Sequence, residues 1–491
     1  MSLHWPLIRR CLARPNKVLV VDDRKSYRGI ELLVGSFHVA NALAPTCKTP
    51  TLGLLLPTSG AFPVAAMAAW TLGKTIVPLN FLLKPDELQY VVDDCGTDTI
   101  VTVGPMLEHL GEAPRVKNLV QLDSLSFKGL PRPRWPARAK DDDLAALLYT
   151  SGTSGRPKGV MLTHENIASN LRQVRDWVDF DDKEVVLGVL PQFHSFGLTV
   201  LTLLPLMAGL KAVYSARFVP QRIVRLFREH KPTLFIGIPS MYGALLSVKD
   251  AGPADFASLK YAVSGAEPLP ESIRQRFLDR FNINIDQGYG LTETSPVTNW
   301  CRPSERKAGC VGPPLPLIDQ RIVDLQTGEE VPQGEDGEII MKGPNVMKGY
   351  YHLEEETAKV FDEKGYFHTG DIGHLDEQGR LCITGRHKEM LIVGGENVFP
   401  REIEEVLEAS PGVKAAGVVG EPDDVRGEQP VAFVEAEEGQ TLDEKVLRDF
   451  CRQRLAGYKV PRRVIILDEL PRNPTGKIMR RELKTMLATP D

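Results

Sequence analysis

A loop of small residues with one lysine is suited to holding phosphate groups. Residues 149–159 read YTSGTSGRPKG, and Gly159 after Lys158 separates the loop from the GxxxxGK[ST] pattern of P-loop nucleotide hydrolases. Glycines and small hydroxyl residues let backbone N–H groups approach phosphate oxygens, and the lysine adds positive charge. The pattern predicts a polyphosphate cradle, and its ordinary alternative is a flexible turn. The expected phosphate contacts are Thr150, Ser151, Gly152, Thr153, Ser154, Gly155 and Lys158.

A second cluster combines an aromatic ring, two hydroxyls and a carboxylate within seven residues. Residues 288–294 read GYGLTET. Such a set can stack on a purine, donate a hydrogen bond to phosphate and hold Mg²⁺ through a hard oxygen ligand. The alternative interpretation is a solvated turn after a strand.

Three further positions carry side chains that could bind a nucleotide or a substrate carboxylate. Asp371, at the end of residues 366–371, can accept hydrogen bonds from both ribose hydroxyls. Lys477 stands in a turn-rich loop, and its ammonium can stabilise negative charge that develops on phosphoryl oxygens. His194, in residues 191–197, can sense a substrate carboxylate or can be a satisfied core histidine. An isolated aspartate or lysine would ordinarily be a surface charge.

Short apolar runs and longer amphipathic segments alternate through most of the chain. Apolar runs such as 51–56 and 233–238 alternate with helix-like segments such as 220–230 and 271–280. This alternation predicts βαβ units and largely parallel sheets. After about Arg386 the sequence becomes more charged, and short strand-like and helix-like segments alternate, which predicts a small α+β domain.

The most apolar stretch and the overall composition exclude several classes of protein. Residues 196–210 contain Pro205 and fall short of the ~20 residues that span a bilayer, so a buried core helix is expected. The net charge of -5 offers no general attraction for nucleic acid. Peripheral membrane contact is left open. No leader segment is expected, and the predicted compartment is the cytoplasm.

The seven cysteines are scattered along the chain and never follow a CxxC spacing. An odd number without metal-ligand spacing predicts neither a disulfide framework nor a zinc site. We therefore expect seven reduced cysteines.

The order of these motifs resembles the acyl-adenylate-forming superfamily, which includes acyl- and aryl-CoA ligases and peptide-synthetase adenylation domains. The resemblance runs from Tyr27 to Lys477. It implies an α/β fold with a large, multi-subdomain N-terminal domain of parallel-rich sheets and a small mobile α+β C-terminal domain. The expected domains are an adenylation domain over residues 1–387 and a small domain over residues 388–491 that carries the catalytic lysine.

The resemblance also implies roles for individual residues. Tyr289 would stack on adenine, Thr292 would contact phosphate, Glu293 would bind Mg²⁺, and Lys477 would be the catalytic lysine. Asp371 and Arg386 would contact ribose or phosphate. The remaining nucleotide-binding residues implied are Gly265, Ala266, Glu267, Gly288 and Gly290.

Other implied roles concern the acid, the thiol and a hinge. His194, Phe196 and Gly197 would line the acyl pocket, with His194 also counted among the catalytic residues. Lys388 would be the hinge about which the small domain rotates between two half-reactions. Gly394 and Gly395 would let the pantetheine thiol approach.

The expected function is ATP-dependent activation of a carboxylic acid to acyl-AMP, with release of pyrophosphate. The expected acid is a medium- or long-chain fatty acid. Coenzyme A would then displace AMP. The cofactors implied are ATP, Mg²⁺ and coenzyme A. Ligation to an acyl carrier protein and aryl-CoA ligation are the enzymatic alternatives, and a nucleotide- or acyl-binding protein on the same fold is the non-enzymatic one. The acid and the oligomeric state are not specified by the sequence.

Overall fold

Four β-sheets covered by helices make up the described part of the chain. The computed structural model describes residues 2–151, 156–472 and 476–488. Sheets of eight, seven and five strands belong to a large N-terminal domain, and a second five-stranded sheet belongs to a smaller C-terminal domain. The predicted α/β class is confirmed.

The strands alternate with helices through most of the described chain. The strands are β1 (Val18–Val21), β2 (Ser26–Arg28), β3 (Thr51–Leu54), β4 (Thr75–Pro78), β5 (Thr99–Thr102), β6 (Asn118–Gln121), β7 (Leu144–Ser151), β8 (Pro157–Thr163), β9 (Val185–Gly188), β10 (Lys211–Tyr214), β11 (Leu234–Gly237), β12 (Tyr261–Ser264), β13 (Asp286–Gly290), β14 (Val297–Trp300), β15 (Cys310–Gly312), β16 (Asp319–Val323), β17 (Gly337–Lys342), β18 (Gly349–Tyr350), β19 (Phe367–Leu375), β20 (Leu381–Arg386), β21 (Leu391–Val393), β22 (Glu396–Val398), β23 (Val413–Asp423), β24 (Gly427–Ala436) and β25 (Arg463–Leu467).

Most of the helices bury apolar residues against these sheets or against one another. They are α1 (His4–Ala13), α2 (Gly29–Leu43), α3 (Ala61–Thr71), α4 (Pro85–Asp94), α5 (Gly104–Leu110), α6 (His164–Trp177), α7 (Ser195–Leu198), α8 (Leu204–Ala208), α9 (Pro220–His230), α10 (Pro239–Leu245), α11 (Pro253–Phe256), α12 (Glu271–Phe281), α13 (Glu354–Ala358), α14 (Pro400–Glu408), α15 (Glu444–Arg452) and α16 (Arg480–Ala488).

The eight-stranded sheet has the order β14-β13-β12-β11-β9-β10-β1-β2. Its six central strands are parallel, and β2 and β14 run antiparallel at the two edges. Helix α9 buries Ile223, Val224 and Phe227 at the i, i+1, i+4 spacing of one helical face. The prediction of parallel βαβ units is therefore confirmed for this sheet.

The seven-stranded sheet has the order β18-β8-β7-β4-β3-β5-β6. Strands β7, β4, β3, β5 and β6 are parallel, whereas β8 pairs antiparallel with both β7 and β18. The pairing of β8 and β18 brings residues near 158 beside residues near 350, which are far apart in the sequence.

The third sheet, β15-β20-β19-β17-β16, is entirely antiparallel. Cys310 of β15 lies opposite Cys382 of β20, and the two form a disulfide across 72 residues of sequence. The expectation of seven reduced cysteines is wrong for this pair, because strand register is set by contacts that cysteine spacing does not reveal. The other five cysteines are free and buried.

The apolar stretch near residue 200 is a buried helical segment, as predicted. Helix α7, a π-helical turn (Thr199–Leu203) and α8 follow one another without a break, and most of their side chains are buried. Among the described residues, no helix has both the length and the apolar character needed to cross a bilayer.

The small domain has its own core. Strand β24 pairs with β21, β23 and β25, and α14 packs against β23. The buried cluster includes Leu391, Val398, Ile403 and Leu447. This α+β arrangement agrees with the sequence prediction for the C-terminal segment.

Candidate active site

Two of the glycine-bearing segments predicted to bind nucleotide lie at the ends of neighbouring strands, β12 and β13, of the eight-stranded sheet. Strand β12 ends at Ser264, directly before Gly265, and Ser264 lies opposite Gln287 of β13. Ligands of open parallel sheets bind in the crevice outside the carboxyl ends of the strands, which is where these loops emerge. Ala266 in the first loop has φ 68°, a left-handed conformation that is uncommon outside glycine.

Tyr289, Asp371 and Arg386 form a connected group in this crevice. The Tyr289 hydroxyl donates a hydrogen bond to Asp371 Oδ2 at 2.6 Å, and Arg386 Nε lies 2.7 Å from Asp371 Oδ1. Asp371 and Arg386 face each other across β19 and β20. Burial raises the pKa of Asp371, and the Arg386 charge opposes that rise. Each carboxylate oxygen keeps further acceptor capacity for a ligand hydroxyl.

Thr292 and Glu293 lie in a 3₁₀ turn (Thr292–Thr294) that follows β13. Tyr350 donates its hydroxyl to Glu293 Oε1 at 2.9 Å. Burial raises the pKa of Glu293, with Tyr350 and Arg386 acting in the opposite direction. The Thr292 hydroxyl lies 3.4 Å from the Ser195 hydroxyl, which links this turn to the start of α7.

Lys477 reaches the same crevice from the small domain. Its side chain is open to the cleft, yet protein atoms surround it closely enough for desolvation to lower its pKa. The charge of Arg386 lowers this pKa further, whereas Glu267 and Asp371 oppose the change. The structure thus brings the predicted catalytic lysine together with the predicted ribose aspartate and the adenine loop.

The loop that carries Lys477 touches the large domain directly. Gly476 has φ 96°, and a Cβ built there would lie 3.3 Å from Ile238 Cδ1 and 3.6 Å from Ser240 Oγ. Only glycine adopts this conformation readily. The flanking residues 473–475 lie outside the described residues.

Glu267 stands beside the lysine. Burial raises its pKa, and the nearby charges of Lys477 and Arg472 act against the rise. Its Oε1 atom is buried and has no hydrogen-bond partner within residues 2–151, 156–472 and 476–488. A buried acceptor of this kind is available to a ligand donor.

His194 lies directly before α7, near enough to Lys477 for the charge of the lysine to act on it. Burial first, and then the Lys477 charge, lower the pKa of His194 to about 4. Its Nε2 atom is buried without a hydrogen-bond partner in the described part of the chain, and its ring lies against Phe193. A neutral imidazole at pH 7 is the expected state, so it can donate or accept one hydrogen bond but supplies no fixed charge.

The other two acyl-pocket candidates differ in their surroundings. Phe196 projects toward Gly265, where a Cβ would lie 3.6 Å from its ring. Gly197 is buried against the Pro191 carbonyl, and a Cβ there would approach that oxygen to 2.0 Å. Gly197 therefore permits the tight turn before the helix, a packing role that the motif did not reveal.

The described residues include only part of the predicted phosphate loop. Strands β7 and β8 place Thr150 opposite Lys158 and Ser151 opposite Pro157. Gly152, Thr153, Ser154 and Gly155 lie outside the described residues. Lys158 Nζ lies 2.6 Å from Glu356 Oε2 and 5.2 Å from the centre of the Tyr350 ring.

The predicted hinge and thiol-binding residues occupy neighbouring turns. Lys388 is the middle residue of a 3₁₀ turn (His387–Glu389) that joins β20 to β21. Gly394 and Gly395, with φ 63° and 90°, form the exposed turn between β21 and β22. These left-handed conformations explain why glycine occupies both positions.

Two protein-family models match most of this chain. The AMP-binding enzyme model matches residues 7–351, and the model of the AMP-binding enzyme C-terminal domain matches residues 402–477. The chain belongs to the AMP-binding enzyme family. The predicted acyl-adenylate-forming superfamily and the predicted acid–thiol ligase class are confirmed.

Individual relatives of this AMP-binding enzyme act on different acids. A long-chain-fatty-acid–CoA ligase of Bacillus subtilis (strain 168) is 41% identical, over 92% of this chain and 88% of the relative. A feruloyl-CoA synthase of an Amycolatopsis species is 35% identical, over 98% of each chain. Among solved structures, ATP-bound MatB from Rhodopseudomonas palustris has a TM-score of 0.90 and 31% identity over 99% of each chain.

Three contacts of this AMP-binding enzyme were not predicted from its sequence. They are the Tyr350 hydroxyl on Glu293, the Ser195 hydroxyl on Thr292 and the Glu356 carboxylate on Lys158. Each joins segments separated by 57 to 198 residues. A local motif holds no signal for such pairs, because they depend on how β8, β13 and β18 are placed in two sheets.

Proposed function

We propose that the enzyme activates a medium- or long-chain fatty acid with ATP and then transfers the acyl group to coenzyme A. One observation carries the proposal: the loop of Lys477 packs through Gly476 against Ile238, which brings the lysine near enough to Asp371 and His194 for their charges to interact. That position connects the predicted nucleotide residues to the start of an apolar helical segment. The 41% identity to a long-chain-fatty-acid–CoA ligase supports this choice of acid.

In the proposed first step, a carboxylate oxygen of the acid attacks the α-phosphorus of ATP. The bond from that phosphorus to the pyrophosphate oxygen breaks, which yields acyl-AMP and pyrophosphate. Negative charge develops on phosphoryl oxygens, and the Lys477 ammonium stabilises it. Asp371 accepts hydrogen bonds from the ribose hydroxyls, and the charge of Arg386 favours the ionised form of that carboxylate against the effect of burial.

Glu293 is the residue suited to binding magnesium. It offers a hard carboxylate oxygen in the crevice, Tyr350 fixes its orientation, and burial disfavours its charge unless a cation is near. Mg²⁺ would neutralise phosphate charge when bound. Thr292 contributes a hydroxyl to the phosphate groups in this proposal.

The second step requires a thiol where Lys477 now stands. We assign the turn around Lys388 as the hinge between residues 1–387 and residues 388–491. Rotation about it would withdraw Lys477 and present Gly394 and Gly395 to the pantetheine arm. The thiol sulfur then attacks the acyl carbon, the bond from that carbon to the AMP oxygen breaks, and the thiol proton passes to water.

Aryl acids are the second candidate substrates, because a feruloyl-CoA synthase matches over 98% of the chain. Chain length separates the two candidates. Each methylene buried in an acyl tunnel contributes about 0.8 kcal/mol, or roughly a fourfold gain in kcat/KM. A fatty-acid enzyme should therefore improve steadily along a series of saturated acids until the tunnel ends.

The test measures pyrophosphate release with saturated acids of increasing length and with ferulate, coumarate and benzoate. Coenzyme A and a phosphopantetheinylated carrier protein serve as alternative acceptors. A rising series with coenzyme A supports the proposal, and preference for the aryl acids replaces it. Exchange of labelled pyrophosphate into ATP with none of the acids would favour a binding protein.

A further inference from the structure

The Glu356 carboxylate forms an ion pair with Lys158, the lysine of the predicted phosphate loop. Glu356 Oε2 lies 2.6 Å from Lys158 Nζ, and Glu356 Oε1 lies 2.6 Å from Lys359 Nζ. The Lys158 side chain is only 16% exposed, so most of it is shielded from water. Hydrogen bonds from Lys158 and then Lys359 lower the pKa of Glu356 to about 2, which keeps it ionised at neutral pH.

The backbone around Glu356 holds it beside Lys158. Helix α13 follows β18, which pairs with β8, and Tyr351 N–H donates to the Gly159 carbonyl at 2.8 Å. Thr357 Oγ1 accepts a hydrogen bond from Tyr350 N–H at 2.8 Å, which fixes the start of the helix against β18. The Glu356 contact is therefore built by the sheet and is not a chance meeting of two long side chains.

Tyr350 connects this pair to the metal candidate. Its ring lies under Lys158, and its hydroxyl donates to Glu293. Lys158 and Glu293 are thus held by opposite ends of one side chain. Any movement of Lys158 would therefore take place near Glu293, the carboxylate proposed for magnesium, and near the phosphate groups that Lys158 is proposed to contact.

We propose that Glu356 is a positioning residue that competes with the phosphates of ATP and pyrophosphate for Lys158. The inference rests on the proposed function, in which Lys158 contacts phosphate. The phosphate groups must displace Glu356 from Lys158, and the ion pair between Glu356 and Lys158 forms again when pyrophosphate leaves. This exchange weakens the binding of ATP and pyrophosphate, and it accelerates the departure of the product.

The test compares Glu356→Gln with Glu355→Gln, which removes one charge from the same helix but keeps the Lys158 contact. For Glu356→Gln we expect the Kd for pyrophosphate and the KM for ATP to fall about two- to fivefold, the range of one partly exposed ion pair. The Kd is measured by calorimetry with inorganic pyrophosphate. Glu355→Gln should leave both constants unchanged, and Glu356→Asp should return them toward the wild-type values.

The Lys158→Met background separates competition from a general charge effect. In that background Glu356→Gln should change the Kd for pyrophosphate less than it does in the wild type. An unchanged or raised Kd in Glu356→Gln, with an unchanged melting temperature, would overturn the competition. Failure of every acid in the exchange assay would instead reject the proposed function, since pyrophosphate binding is measured without any acid.

Discussion

Tyr289 donates its hydroxyl to Asp371 across 2.6 Å, and the two residues come from different sheets. Tyr289 ends the parallel run of the eight-stranded sheet, whereas Asp371 lies in the antiparallel sheet. The hydrogen bond fixes the aromatic ring and the carboxylate relative to each other. A ligand that stacks on the ring and binds the carboxylate would meet a geometry that is already in place.

The pair leads to a prediction for Asp371→Asn. The amide keeps the shape of the carboxylate but loses its charge, so the ribose hydroxyls and Arg386 lose their ionic acceptor. Hydrogen bonds to charged groups contribute about 1.5–3 kcal/mol, so the KM for ATP should rise roughly ten- to a hundredfold. The measurement is pyrophosphate exchange against ATP concentration. Tyr289→Phe keeps the ring and should cost less, and equal KM values for wild type and Asp371→Asn would remove Asp371 from the site.

Lys477→Ala should separate the two half-reactions. The lysine stands beside Asp371 and Glu267, so its loss should slow adenylate formation by about a hundredfold or more, the scale of one preorganised charge. Conversion of supplied acyl-AMP to acyl-CoA should change only a few fold. Lys484→Ala, which removes an exposed lysine from α16, is the control. Equal loss of both half-reactions would contradict the assignment.

Glu293→Gln should weaken the dependence of the first step on magnesium. A neutral amide is a poorer ligand for Mg²⁺ than a carboxylate, so the magnesium concentration at half-maximal rate should rise about tenfold or more. The titration is run at saturating ATP. Tyr350→Phe, which removes only the hydroxyl on Glu293, should shift it less. An unchanged midpoint in Glu293→Gln would place the metal on other residues.

His194 should make the protein less stable in acid. Its pKa is about 4 in the folded protein and near 6.5 in the unfolded chain. Above pH 6.5 both forms are neutral and the residue contributes no pH dependence. As the pH falls from 6.5 to 4, only the unfolded chain takes up the proton, so stability is lost. The loss at pH 5 is on the order of 1–2 kcal/mol.

His194→Phe removes this titration and keeps an aromatic ring in the position. Thermal unfolding at pH 7.5 and at pH 5 provides the comparison. The variant should lose less stability between the two pH values than the wild type does. Other buried histidines such as His164, whose pKa is also lowered, contribute equally to both proteins. The same loss in wild type and variant would show that His194 does not resist protonation.

Features that depend on neighbouring residues in the sequence were predicted well, whereas features that depend on contacts between distant segments were not. The helices Pro220–His230 and Glu271–Phe281 were predicted nearly to the residue, because one amphipathic face defines each of them. The parallel strands followed from their alternation with helices. The antiparallel sheet was not predicted, since its strands pair through register that no local pattern encodes.

The same reasoning applies to the site. Lys477, Asp371 and Glu267 were predicted one by one from their motifs, and the structure places them around one crevice. Their pairing with Arg386 and Tyr289, and the approach of Glu356 to Lys158, depend on contacts across sheets. The Cys310–Cys382 disulfide was missed for the same reason.

Lys388→Pro tests whether the small domain must rotate. Lys388 lies in the 3₁₀ turn between β20 and β21, and 3₁₀ residues have φ near -50 to -70°, which includes the value that proline imposes. Proline should therefore suit the arrangement seen here, in which Lys477 lies in the crevice. Adenylate formation should survive near its normal rate, whereas transfer from supplied acyl-AMP to coenzyme A should fall by about a hundredfold or more.

Lys388→Ala, which keeps backbone freedom, should support both steps. Normal rates for both steps in the folded proline variant would place the hinge elsewhere, and loss of adenylation alone would mean that proline favours the opposite orientation.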